Sequence, residues 1–381
     1  IQQTQKTGEQ VLLFDFPLPL RFIDEKGGIH DFTIRIHETN EDFYFDLPAR
    51  ARIVRLDPDT TVLAGVDFTP PNPMLHAQLV NADDLIGRVI AAKTLGGRND
   101  AESISHLKKA LSTDPHYGVR IEAAKSLAKT HTPEALAVLL GAVPQEDARA
   151  RQEVVASIGK FYTGSAFAAL RDIAAKEKNP DIVSDALGAV GKFLQEDARP
   201  VLLAALNRES YRHRIAAAAI QGLRVQGDDT VIVPLREHLQ KNETRFTSRD
   251  FGLGLDSLAY LARHEEDETR EVTRQFISGY LEHPKETLRR SAITALGTLE
   301  DPRSLGALQT FVESGNADLP ESRVAEEAIR KLSSKKGQAD EVTDLRRELL
   351  ELQKELKTVK DGLETVKKQV KPEPPEKKAA K

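Results

Sequence analysis

Two His–Glu pairs are the first places where residue type and spacing suggest chemistry. His37–Glu38 and His264–Glu265 each open the pattern His-Glu-x-x-His, in which two imidazoles one helical turn apart hold zinc while the carboxylate moves a proton. In each, the place of the second His is taken by an acid, Glu41 or Glu268. The first pair also ends an alternating, strand-like stretch. The ten His are scattered, and no two are set four apart on a helical segment. The run GLGLDS at 252–257 has the wrong spacing for a phosphate-cradling loop and lies in a helical pattern. The run RHEEDE at 263–268 gathers acids and reads as a solvated loop between helices. Ser and Asp concentrate in turns, where they cap helices. With no Cys in the chain, disulfides, iron–sulfur clusters and thiolate zinc sites are excluded. The residues therefore offer no catalytic set, no metal set and no cofactor.

What recurs instead is a helical stripe. In HYGVRIEAAKSLAKT, Arg120, Ala123, Ala124 and Leu127 fall at offsets of three, four and seven, on one side of a helix. Arg88, Ala91, Ala92 and Leu95 repeat the offsets, as do Arg151, Val154, Val155 and Ile158. Arg289, Ala292 and Leu296 do so again. The final apolar anchor returns at 95, 127, 158, 190, 220, 258, 296 and 329. A second helical pattern lies between successive anchors, as in TPEALAVLLGAV and GSAFAALRDIAA. Two helices per period in the low thirties define a helical solenoid. Arg88, Arg120, Arg151 and Arg289 have two readings: they line a groove for acidic segments, or they bond an acid or carbonyl in the adjacent loop and hold the stack together.

Charge is nearly balanced, with 54 Lys and Arg against 59 Asp and Glu and a net charge of −5. No basic excess advertises nucleic acid, and no apolar run reaches the roughly 20 residues of a membrane span. Compartment stays open between cytoplasmic and exported.

The ends differ from the middle. Residues 1–72 hold short alternating stretches separated by turn signals: FDFPLPLRF, HDFTIRIHE, EDFYFDLP, RIVRLDP and TTVLAGVDF. They predict a small, partial antiparallel β-sandwich of five strands. The Pro-rich TPPNP closes it and opens the helical region, 73–335. After residue 340, Leu345, Leu349, Leu352, Leu356, Val359, Leu363, Val366 and Val370 alternate by four and three, a heptad seam over 340–370. It predicts either self-association through Leu345–Val370 or one amphipathic helix docked on the last repeat. The charged, Pro-rich end, 371–381, is predicted to be disordered.

The motif around Asp114, Pro115, Val119, Arg120, Ala123, Ala124 and Leu127 resembles HEAT-like repeats, including the phycobilin-lyase type. The front end resembles the C-terminal half of the aminopeptidase N family of zinc metallopeptidases. Gln3–Gln5, then Phe16, Pro17 and Leu18, then Pro48, Val54, Asp57 and Pro58, then Arg88 and Ala91 follow that family's order. The resemblance implies a chain entered inside the sandwich, with the zinc site in an upstream peptidase domain that is its partner. On that reading these residues carry no catalytic site and shape the peptidase cavity or hold peptide. The alternative is a non-enzymatic HEAT-repeat scaffold for protein partners, self-associating through its C-terminal helix. A lyase-like repeat protein rests on the repeats alone and leaves the β region unexplained.

Overall fold

The computed structural model describes residues 1–6, 8, 11–193, 196–314, 320–334, 352, 356, 359 and 360. The chain divides into two compact units, residues 1–227 and 228–381.

The first unit opens on a three-stranded antiparallel sheet in the order β2-β1-β3, from β1 (Phe16–Asp24), β2 (Ile29–Ile36) and β3 (Ala51–Leu56). Alternation turns Leu18, Leu20 and Phe22 of β1 to one side, where Ile36 joins them. Three of the five predicted strands form. The other two, 41–48 and 60–68, carry no strand. Their apolar residues still cover the sheet: Phe43, Phe45, Leu47 and Val62 pack on its core. The Phe45 ring lies 4.9 Å from both Phe22 and Phe32. Alternation there reports side-chain burial without backbone pairing, so periodicity alone overstates the strand count. At the end of β3, Asp57 takes a left-handed conformation, and its carboxylate accepts from the Thr61 and Val62 amides. That turn holds the following segment out of the ladder.

Ten α-helices follow among the described residues of this unit. They are α1 (Asn72–Leu79), α2 (Leu85–Thr94), α3 (Ala101–Thr113), α4 (Tyr117–Thr130) and α5 (Pro133–Gly141). Then come α6 (Ala148–Ile158), α7 (Gly164–Lys176), α8 (Pro180–Val190), α9 (Ala198–Leu206) and α10 (Arg214–Gln226). The starts are set by side chains that accept from exposed amides in the first turn: Asp84 from Gly87, Asp100 from Ser103, Thr132 from Ala135 and Thr163 from Ala166. The sheet is tied to the first repeat by Arg55, buried on β3, whose Nε donates to Asp84 Oδ2 at 2.6 Å.

Even-numbered helices pack directly on one another, α2 on α4, α4 on α6, α6 on α8 and α8 on α10. Their small central residues allow that approach: Ala91, Ala92, Ala123, Ala124 and Ala186 are fully buried, with the anchors Leu95, Leu127, Ile158 and Val190. Burying each large apolar anchor contributes about 1.5–3 kcal/mol. The odd-numbered helices form the other layer.

The second unit repeats the scheme with α11 (Ile232–Asn242), α12 (Ser248–Ala262), α13 (Asp267–Ser278), α14 (Glu286–Leu299), α15 (Ser304–Glu313) and a helix α16 over 320–334. Here α12 and α14 make the direct pair. The acidic run read as a loop is loop over 263–266, and its last two residues, Asp267 and Glu268, form the first turn of α13, where negative charge suits the helix dipole. Of the predicted heptad seam, Leu352, Leu356 and Val359 are helical and exposed, as is the neighbouring Lys360, and the rest of 340–370 lies outside the described residues, as does 371–381.

Candidate functional site

The four candidate arginines are spent on loops. Arg88 Nη1 donates to the carbonyls of Asn81 and Ala82, and its Nε to Asp114 Oδ2 at 2.9 Å. Arg151 Nη1 donates to Gln145 and Glu146, and its Nε to Glu177 Oε2 at 2.9 Å. Arg289 Nη1 donates to His283 and Pro284, and its Nε to Glu321 Oε1 at 3.0 Å. One guanidinium thus closes the loop before its own helix and reaches the first residue or two of the next repeat's loop or helix.

Arg120 keeps the first half of this pattern, donating from Nη1 to Asp114 and Pro115 carbonyls, while its Nε is buried without a hydrogen bond. The slot that holds Asp114 and Glu177 in neighbouring repeats holds Gln145 here. Its side chain instead reaches back to the Leu111 carbonyl at the end of α3. Arg208 occupies the same slot two repeats on and reaches back to Ala174 at the end of α7. The slot alternates between tying forward as an acid and tying back as a donor.

Burial pushes the Glu177 carboxyl up, but the Asn179 amide, the Arg151 guanidinium and the Lys178 amide outweigh it and hold the group below its ordinary value. Asp301 behaves alike: burial raises it, and Arg303 and Arg274 more than offset that.

The face left open on the even-numbered helices is charged in register. Glu122, Glu153 and Asp185 stand in one row, and Lys129, Lys160 and Lys192 in another, each Lys seven residues after its acid. The acids are partly buried and the lysines exposed. Lys125, between the rows on α4, lies 3.6 Å from Glu122. Gln152 Nε2 donates to Asp185 Oδ2 at 2.8 Å, joining α6 to α8. Burial pushes the Glu153 carboxyl up, with Lys125 and Lys160 pulling the other way. Sequence inspection centred on the buried stripe passes over these rows, although acid-x6-Lys at intervals of about one repeat was available to it.

A third cluster lies between α1 and α3. His76 is 5% exposed, and its Nδ1 sits 3.5 Å from Glu102 Oε1. Its ring stacks on His106, with centroids 4.2 Å apart and an interplanar angle of 10°. Burial, and the charge His76 would carry, lower the affinity of His106 for a proton. Glu102 and His106 are four apart on α3, a spacing that a search confined to His–His pairs misses. His106, Arg88, Lys109 and Asp114 also line a cavity of about 280 Å³.

Stacked two-helix repeats with arginine-tied loops define a helical-repeat scaffold. Residues 72–159 and 142–224 match the family described as HEAT repeats, and 288–314 match the PBS lyase HEAT-like repeat. The fold is a HEAT-repeat solenoid preceded by a small antiparallel sheet. Among solved structures, the complex of CpcE and CpcF of phycocyanin lyase from Nostoc sp. PCC7120 is similar at 18% identity and a TM-score of 0.34, covering 71% of this chain and 98% of that one. Human deoxyhypusine hydroxylase in complex with glycerol is similar at 20% identity and a TM-score of 0.30, covering 69% and 94%. No curated protein matches the chain.

The family matches overturn the aminopeptidase N resemblance, and with it the hydrolase reading and the upstream peptidase partner: the matched families are HEAT repeats, and no peptidase is among them. Several of the residues that carried the resemblance answer local demands. Phe16 and Leu18 alternate on a strand, Asp57 builds a turn, and Arg88 and Ala91 belong to the repeat stripe. Such demands recur in unrelated chains, so their order misleads.

Proposed function

We propose that the chain is a HEAT-repeat scaffold that binds a protein partner along the even-numbered helices of its first unit. The observation that carries this reading is the pair of charged rows, held in register over three repeats. Some of that charge suits the helices themselves, since cations near helix C-termini are stabilising. This accounts for Lys129, in the last turn of α4. It does not account for Glu122, which lies well past the first turn.

Packed helix axes stand about 8–10 Å apart. A lysine row with that interval matches an extended segment in the polyproline II conformation with an acid at every third residue, since that helix has three residues per turn and rises about 3.1 Å per residue. The partner's chemistry is therefore an acidic extended segment over Lys129, Lys160 and Lys192, flanked by basic groups over the acid row.

A photo-crosslinking residue placed at Ala156 or Gly188, between the rows, is expected to capture one polypeptide. The same residue at Arg171, exposed on α7 of the other layer, is expected to capture none. Equal capture from position 171 contradicts the assignment of the face.

A further inference from the structure

His76 is a buried imidazole with one nitrogen left over. Its Nε2 lies 3.0 Å from Ser103 Oγ, which is itself fully buried. The Ser103 amide donates to Asp100 Oδ1 at 2.8 Å, and Asn72 Nδ2 donates to the Ser103 hydroxyl oxygen at 3.4 Å. With Nε2–H donating to Ser103 Oγ, the lone pair of the neutral ring sits on Nδ1. Nδ1 is sealed from water and has no hydrogen bond. It faces the Glu102 carboxylate and the His106 ring.

We propose that His76 Nδ1, a Glu102 carboxylate oxygen and a ring nitrogen of His106 bind a divalent transition-metal cation of the Zn²⁺ class. The donor atoms of the three residues lie within 4.8 Å of one another. Two imidazoles and one carboxylate suit borderline cations such as Zn²⁺, whereas Mg²⁺ and Ca²⁺ take oxygen donors. Zinc bonds of about 2.0–2.1 Å put tetrahedral ligand atoms roughly 3.4 Å apart. The His76–Glu102 pair, at 3.5 Å, already has that separation. The stacked His106 ring must turn to bring its nitrogen in. It is only partly buried, and Glu102 is exposed, so both can adjust around the fixed His76.

Ser103, within hydrogen-bond distance of His76 Nε2, is the outer support that metal-binding histidines use to fix tautomer and ring orientation. Three protein ligands leave a fourth tetrahedral position for water or an incoming donor. His106 is shared between this cluster and the 280 Å³ cavity. The inference is independent of the charged rows.

The test is a titration of the full chain, stripped with a chelator, with Zn²⁺ in competition with a chromophoric chelator at neutral pH. One Zn²⁺ per chain is expected. Glu102→Gln and His106→Asn, at accessible positions where folding is checked by far-UV circular dichroism, are each expected to weaken binding at least tenfold. Ser103→Ala is expected to weaken it about tenfold through the outer support. Co²⁺ in place of Zn²⁺ gives visible absorption in the wild type that Glu102→Gln and His106→Asn lose. No stoichiometric uptake, or uptake unchanged by both of those substitutions, overturns the site.

Discussion

Arg151 is one side chain with two jobs, closing the loop before α6 and gripping Glu177 before α8. Replacing it by Ala strands a carboxylate of low exposure and two loop carbonyls. The expected cost is about 2–4 kcal/mol, read as a lower denaturation midpoint. Arg120→Ala, which forms no ion pair, is expected to cost less, about 1–2 kcal/mol. Equal losses would mean that the Glu177 contact contributes nothing.

The same pair predicts a pH dependence. Glu177 is held below its ordinary value in the folded state, so its contribution is fully present above the unfolded value of about 4.3. It is lost as pH falls through the folded value. Melting wild type and Glu177→Gln side by side is expected to give a constant gap above about pH 5 that closes toward pH 3. A gap that widens in acid contradicts the linkage.

At the scale of helices, close approach decides what a Gly can become. A Cβ on Gly191, at the end of α8, would lie 2.5 Å from Gly222 Cα on α10. Gly191→Ala is therefore expected to cost about 1–3 kcal/mol. Gly188 lies inside α8 with nothing near its missing side chain. Gly188→Ala is expected to stabilise by about 0.5–1 kcal/mol. Thermal melts of the two variants distinguish packing from propensity, because both change the same helix by the same methyl group.

The repeats were legible because Ala123, Ala124 and Leu127 must face a neighbouring helix, and that demand returns with every unit. The strands were only partly legible. Phe43, Phe45 and Leu47 alternate because they cover the sheet, while ladder pairing depends on partners that no local pattern specifies. Arg88 and Arg151 could be picked out, but their direction could not, since Asp114 and Glu177 lie 26 residues on. Glu102 and His106 were visible as a pair; His76 joins them only when α1 packs beside α3.

For the molecule as a whole, the heptad seam makes one prediction of assembly. We propose that residues 340–370 pair two copies of the chain. Sedimentation is expected to give a dimer that becomes a monomer when 340–381 are removed. A monomer in both cases leaves the docked-helix alternative. The first unit carries the surface assigned to the partner and the second unit continues the repeats, so a repeat scaffold is the reading that both units support.

The most direct test is the dissociation constant of the crosslinked partner for wild type and for a variant with Lys129→Glu, Lys160→Glu and Lys192→Glu combined. Three exposed charge contacts at about 0.5–1 kcal/mol each predict binding about 10–100-fold weaker, with the thermal midpoint little changed. An affinity within about twofold of wild type, with both proteins folded, would contradict the assignment of this face.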